Sequence, residues 1–174
     1  MGPNLRFPFN SRSFFTDEGS RPIGGGMELW RGYFQSIRPS QGQMYLNVDI
    51  ATGIMFKKGD LIGLCLEYLN SRDPRKLSPQ KRANDGGLTD RERISLQRFI
   101  ANLRVSTNHT GRTQVRAIKK LTPEGANEIM FTKREGGPSI SVATYFRQEL
   151  NRPLKYPNMI CIEVGHGFET FNGY

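Results

Sequence analysis

Residues 28–50, ELWRGYFQSIRPSQGQMYLNVDI, decide how this chain begins to fold. Trp30, Tyr33 and Phe34 crowd beside Arg31 and Arg38. Then Met44, Leu46, Val48 and Ile50 alternate with Tyr45, Asn47 and Asp49. Strict period two is the signature of a half-buried strand, because successive side chains point to opposite faces of a sheet. The stretch therefore reads as an aromatic turn feeding a β-hairpin. Gly53 permits the next turn, Ile54, Met55 and Phe56 pair back as a second strand, and Lys57-Lys58-Gly59 closes the module.

Upstream, residues 1–25 read as a tail of another domain. Pro3, Pro8, Pro22 and the Gly24-Gly25-Gly26 run argue against a compact element there. Phe7, Phe9, Phe14 and Phe15 need something to pack on, since aromatics at that density are seldom left in water. Downstream, Asp60 is a helix cap for Leu61–Leu69, a short helix apolar almost all round and therefore buried or at an interface. Residues 70–88, with a basic run, two prolines and a double glycine, read as a mobile surface loop. Thr89 with Glu92 makes a capping box, and Leu96, Phe99, Ile100 and Leu103 share one helical face. Strands follow at Arg104–Asn108 and Gln114–Leu121 around the turn His109-Thr110-Gly111-Arg112. Further strands are predicted at Glu128–Thr132, from Ser139 and at Met159–Val164, with a turn at Gly136-Gly137-Pro138 and a helix over Ala143–Leu150. A five- to six-stranded small barrel with helices at one end is the natural assembly.

The 174 residues allow one good core or two small modules. Lys and Arg number 25 against 16 Asp and Glu, a net +9, which favours a polyanionic partner. Cys65 and Cys161 lie far apart in apolar runs and read as buried free thiols of a reducing compartment. The N-terminus has no apolar signal core, and no apolar run approaches a membrane span, so no membrane partner is expected. These features point to the cytoplasm, with the nucleus as a second compartment.

Catalysis is poorly supported. The two histidines stand far apart, no nucleophile elbow or phosphate-cradling glycine loop appears, and no spacing suits a metal, so neither metal nor cofactor is expected. Nucleic-acid binding fares better, because basic and aromatic residues interleave where strands turn. His109, Arg112 and Arg116 share the first hairpin, with Lys119 and Lys120 further along. Phe131 is flanked by Lys133 and Arg134. Tyr145-Phe146-Arg147 opens the last helix, and Lys155-Tyr156 precedes the final strand. Aromatic faces that stack on bases, beside cations that neutralise phosphates, are how single-stranded RNA is held. Each residue also has a plainer reading: Phe131 and Phe146 as core, Lys119 and Lys120 as solvated charge, Tyr145 as either core or ligand.

As a word pattern the chain says more. Trp30-x-Gly32-x-Phe34-x-Ser36-x-Arg38-Pro39 followed by Leu46-Asn47-Val48-Asp49 resembles the first linker of Argonaute proteins, in a fungal-type form. Val142-Ala143-Thr144-Tyr145-Phe146, Leu154-Lys155-Tyr156-Pro157 and Ile162-Glu163-Val164-Gly165 resemble the PAZ domain that follows it. The resemblance implies an α+β chain, with a tail at 1–25, the linker at 26–59 and PAZ at 60–174. PAZ would be a small OB-like β-barrel with an appended hairpin-helix subdomain.

The implied function is anchoring the 3′ end of small single-stranded or overhanging RNA within a silencing protein, with silencing-complex proteins as further partners. His109 would contact phosphate, Phe131 would wall the cleft and Tyr145 would donate its hydroxyl to the terminal phosphate. Arg112, Arg116, Arg147, Lys155 and Tyr174 complete the RNA-binding set. Two positions depart from the family pattern: Ala117 where the segment after the hairpin turn carries a tyrosine, and Leu150 where His or Tyr is usual. The rival reading is a protein-interaction module with a degenerate cleft. An Argonaute continues into a second linker, a domain gripping the guide 5′ phosphate and an RNase H-like PIWI domain. The present sequence ends at Tyr174, so no cleavage activity is expected, and a fragment, a truncated product and a shortened paralogue all fit.

Overall fold

A computed structural model describes residues 6–82, 84–107, 113–132 and 137–165 and the strand at 168–170. The chain divides into two compact units, Met1–Lys58 and Gly59–Tyr174.

The first unit is an antiparallel sheet of β1 (Arg6–Pro8), β2 (Ser13–Gly24), β3 (Met27–Ser40) and β4 (Gln43–Phe56), in chain order. The expectation of no compact element before residue 25 is thus corrected, since β2 pairs along β3 from Ser13↔Phe34 to Gly24↔Met27. The prolines are tolerated because Pro8 closes an edge strand and Pro22 stands beside a register irregularity. The aromatics do find partners: Phe7 lies 5.3 Å from Trp30, Phe9 5.7 Å from Phe15 and Phe14 6.5 Å from Tyr33, centroid to centroid.

Gly53 is not a turn. It lies within one continuous strand, opposite Trp30, and the reversal falls instead between Ser40 and Gln43. A Cβ on Gly53 would sit 2.8 Å from the Phe15 ring, so the missing side chain makes room for that ring. The alternating strand is also not half-buried. Met44, Leu46, Val48 and Ile50 are exposed, Ile50 at 92%. β4 is the outer strand of the sheet, and β2 pairs with β3 only as far as Phe34, which leaves Met44, Leu46 and Val48 on a two-stranded ribbon. Ile50, opposite Tyr33, lies within the reach of β2 and is exposed because no described residue covers its face.

The second unit is α+β. β5 (Arg104–Thr107), β6 (Gln114–Gly125), β9 (Ile160–Val164) and β10 (Phe168–Thr170) form an antiparallel sheet in the order β10-β9-β6-β5. β7 (Met130–Thr132) and β8 (Ser139–Ser141) make a separate hairpin. Helices α1 (Leu61–Tyr68), α2 (Asp90–Ile100) and α3 (Val142–Gln148) complete it. Caps start each helix as the side chains dictate. Asp60 accepts from the Gly63 N–H at 2.7 Å, Thr89 and Glu92 form the reciprocal box, and Ser141 accepts from the Thr144 N–H at 3.1 Å.

The main core joins α1 and α2 to β6 and β9 through Leu64, Leu96, Ile100, Ile118, Leu121 and Val164. Each such side chain contributes roughly 1.5–3 kcal/mol by leaving water. The 70–88 segment differs from a free loop: it carries a 3-10 turn, Pro74–Leu77, and drives Leu77 fully into this core with Leu88 beside it. Cys65 belongs to the main core and Cys161 to the smaller one, both as free buried thiols that burial pushes up to about 12.

Candidate nucleic-acid interface

The smaller core of the second unit builds the platform. Ala126, Ile129, Val142, Phe146 and Cys161 are buried together. Backbone bonds fix α3 over the loop before β7: the Val142 N–H donates to the Ile129 carbonyl and the Ala143 N–H to Ala126, both at 3.0 Å. At the seam, buried Thr122 ties β6 to β9. Its hydroxyl accepts the Cys161 N–H at 2.8 Å and donates to the Glu124 carbonyl at 2.8 Å.

On this platform Phe131 from β7 and Tyr145 from α3 come together. Their rings meet edge to face, 5.5 Å between centroids and 74° between planes, and both are half-buried. Tyr145 in turn meets the buried Phe146 ring at 6.1 Å and 81°. Phe146 is therefore core, while Phe131 and Tyr145 sit at the boundary between core and solvent. Leu150 packs against the same platform, so the position that departs from the family pattern serves packing here.

The cations are dispersed. Arg147 is exposed in the last turn of α3, two residues beyond Tyr145. Lys155 is exposed, with its ammonium 5.3 Å from the centroid of the Tyr156 ring, which is packed against the main core. Arg116 lies on β6 opposite Val105, and its Nε donates to Gln114 Oε1 at 3.1 Å. Lys120 pairs with Glu163 at 2.9 Å across the β6–β9 ladder, and Lys119 is exposed. His109, Arg112 and Tyr174 lie outside the described residues, as do Lys133, Arg134, Gly136 and His166.

Sequence reasoning found both rings but missed their floor. Ala126, Ile129 and Cys161 come from separate segments and carry no local pattern. Among the described residues no group of His, Cys, Asp and Glu could hold a metal. No helix among them is long and apolar enough to cross a membrane. What the site offers is two aromatic surfaces held rigidly, with exposed positive charge on the same helix. That suits stacking and phosphate contact.

Comparison with known proteins finds two matching family models. The Argonaute linker 1 domain matches residues 10–57 and the PAZ domain residues 67–171. The chain is 34% identical over 167 residues to the protein argonaute MEL1 of Oryza sativa subsp. japonica, covering 94% of this chain and 15% of that protein. It is 35% identical over 161 residues to the protein argonaute of Schizosaccharomyces pombe, covering 89% of this chain and 18% of the relative. The chain thus spans less than a fifth of these curated relatives' length. The crystal structure of Kluyveromyces polysporus Argonaute with a guide RNA shares the fold, with a TM-score of 0.57 and 17% identity over 98% of this chain and 21% of that one.

Proposed function

The chain belongs to the Argonaute family, with its linker 1 and PAZ regions, and from that premise we propose that it binds small RNA and anchors the RNA's 3′ end. The observation that carries this reading is the Phe131–Tyr145 pair on the hairpin-helix subdomain. A terminal nucleotide stacks against an aromatic wall while the tyrosine hydroxyl reaches a phosphate oxygen. Arg147 and Lys155 supply charge nearby in sequence, and His109 and Arg112, outside the described residues, are proposed as further phosphate contacts. The binding involves no chemical step. A boundary near residue 59 between the linker region and the PAZ region is part of the same proposal.

One observation favours the second reading, a protein-interaction module with a degenerate cleft. Arg116, the charge kept in the segment after the hairpin turn, is engaged by Gln114. The deciding experiment is anisotropy binding of two short single-stranded RNAs, one with a free 3′ hydroxyl and one with a bulky 3′ block. Preference for the free end, weakened by Tyr145→Phe and by His109→Ala, is the expected result. Variants that bind as wild type does would overturn the 3′-end reading.

A further inference from the structure

The first unit carries a groove of about 570 Å³ where the β1–β2 turn passes the ribbon of β3 and β4. Its polar lining is Arg12, Arg38, Ser11, Ser36 and Gln35, with Phe34 as an aromatic flank. We propose that this groove is a second nucleic-acid contact, taking the phosphodiester backbone of single-stranded RNA independently of the RNA's 3′ end.

Local structure aims these groups. Asn10 folds the turn by accepting the N–H groups of Arg12 and Ser13 at 2.9 and 2.8 Å. The Gln35 N–H then donates to the Arg12 carbonyl at 2.8 Å, which pins the turn against β3. Phe34, Ser36 and Arg38 stand at alternate positions of one strand and so share a face.

The electrostatics select an anion. Both arginines are exposed, and neither guanidinium has an ion pair or side-chain hydrogen bond among the described residues. The carboxylate closest in register is Asp49, opposite Phe34, whose Oδ2 accepts from Asn47 at 2.7 Å. The Ser36 hydroxyl is buried and makes no hydrogen bond, although buried polar groups are nearly always satisfied. Guanidinium forks match phosphate geometry, and a flanking phenyl ring gives a base or ribose a stacking surface. An acidic peptide would use the charge and leave Phe34 idle, so RNA is the better occupant.

The test uses the full chain and a fluorescent single-stranded RNA of about 20 nucleotides, long enough to fill more than one site, with a blocked 3′ end. Single strands lose roughly 0.7 in the log–log salt slope per phosphate contact removed. Arg12→Gln/Arg38→Gln should therefore lower the slope by about 1.4, which at about 0.1 M salt is a loss of roughly 20-fold in affinity. Thermal melting should not change, because both residues are exposed.

Unchanged affinity and slope would overturn the proposal. So would an equal loss in Arg21→Gln/Arg31→Gln, since both of those arginines are exposed and lie outside the groove lining, or competition by polyglutamate as strong as that by RNA. Failure of the 3′-end reading looks different: wild type then binds free and blocked ends alike while the double variant still loses affinity.

Discussion

Tyr145 and Phe131 meet edge to face across the joint between α3 and the β7–β8 hairpin, 5.5 Å apart. The contact uses the tyrosine ring, so removing only the hydroxyl separates packing from recognition. Tyr145→Phe keeps this ring contact and should abolish the preference for a free RNA 3′ end. Phe131→Ala should cost stability as well, about 0.5–1.5 kcal/mol for the ring pair beyond its lost burial. Urea unfolding alongside anisotropy reads both effects.

Thr122→Val keeps the shape of a buried side chain and deletes its hydroxyl. The Cys161 N–H and the Glu124 carbonyl then lose their partner at the seam of the two cores. Leaving such groups unsatisfied costs about 1–3 kcal/mol. The expected result is a lower urea midpoint with unchanged slope.

Glu92 gives α2 a pH dependence. Partial burial works against its charge, but hydrogen bonds from Lys76 and from the Thr89 backbone and hydroxyl outweigh it, and the carboxyl sits below its ordinary value of 4.5. A depressed folded value means stability that is present above the unfolded value and lost as pH falls through the folded one. Stability should decline on acidification below about 4.5, and Glu92→Gln should flatten that decline. Chemical denaturation at a series of acid pH values measures it.

Both thiols are held near 12, well above the ordinary 9.0, because burial disfavours the thiolate. Neither should react with a thiol reagent at neutral pH until the chain unfolds, when both should react together. The unfolded chain ionises near 9 while the folded one resists, so folding stability should fall as pH rises through that value.

Two apolar residues should respond in opposite ways to replacement. Leu77→Ala empties a fully buried site and should cost about 2–5 kcal/mol. Ile50→Lys, at a side chain 92% exposed, should stay within about 0.5 kcal/mol of wild type. Thermal melts of the pair decide whether the ribbon face of β4 is covered in solution. A large loss in Ile50→Lys would mean that it is.

Local chemistry was the legible part of this sequence. The caps at Asp60 and Thr89, the face of α2 and most strands of the second unit lie where spacing puts them, because those signals are carried within a few residues. Exposure of the 44–50 strand was not legible. Period two states which residues could share a face, whereas burial needs another layer packed against that face, and no local spacing reports one. The meeting of Phe131 with Tyr145 depends on a floor drawn from distant segments. Their spacing alone left each open as core or ligand, and only the family resemblance assigned roles.

A Cβ on Gly53 would come within 2.8 Å of the Phe15 ring, and one on Gly32 within 2.1 Å of the Phe14 carbonyl oxygen and 2.7 Å of the same ring. In an antiparallel ribbon a slip of one residue would carry Trp30 and its neighbours to the opposite face. Such a slip would also push a side chain into the ring. The alignment of this long hairpin is therefore written partly in what the chain leaves out: two blank positions act as a keyway, and Phe15 is the key that admits a single pairing.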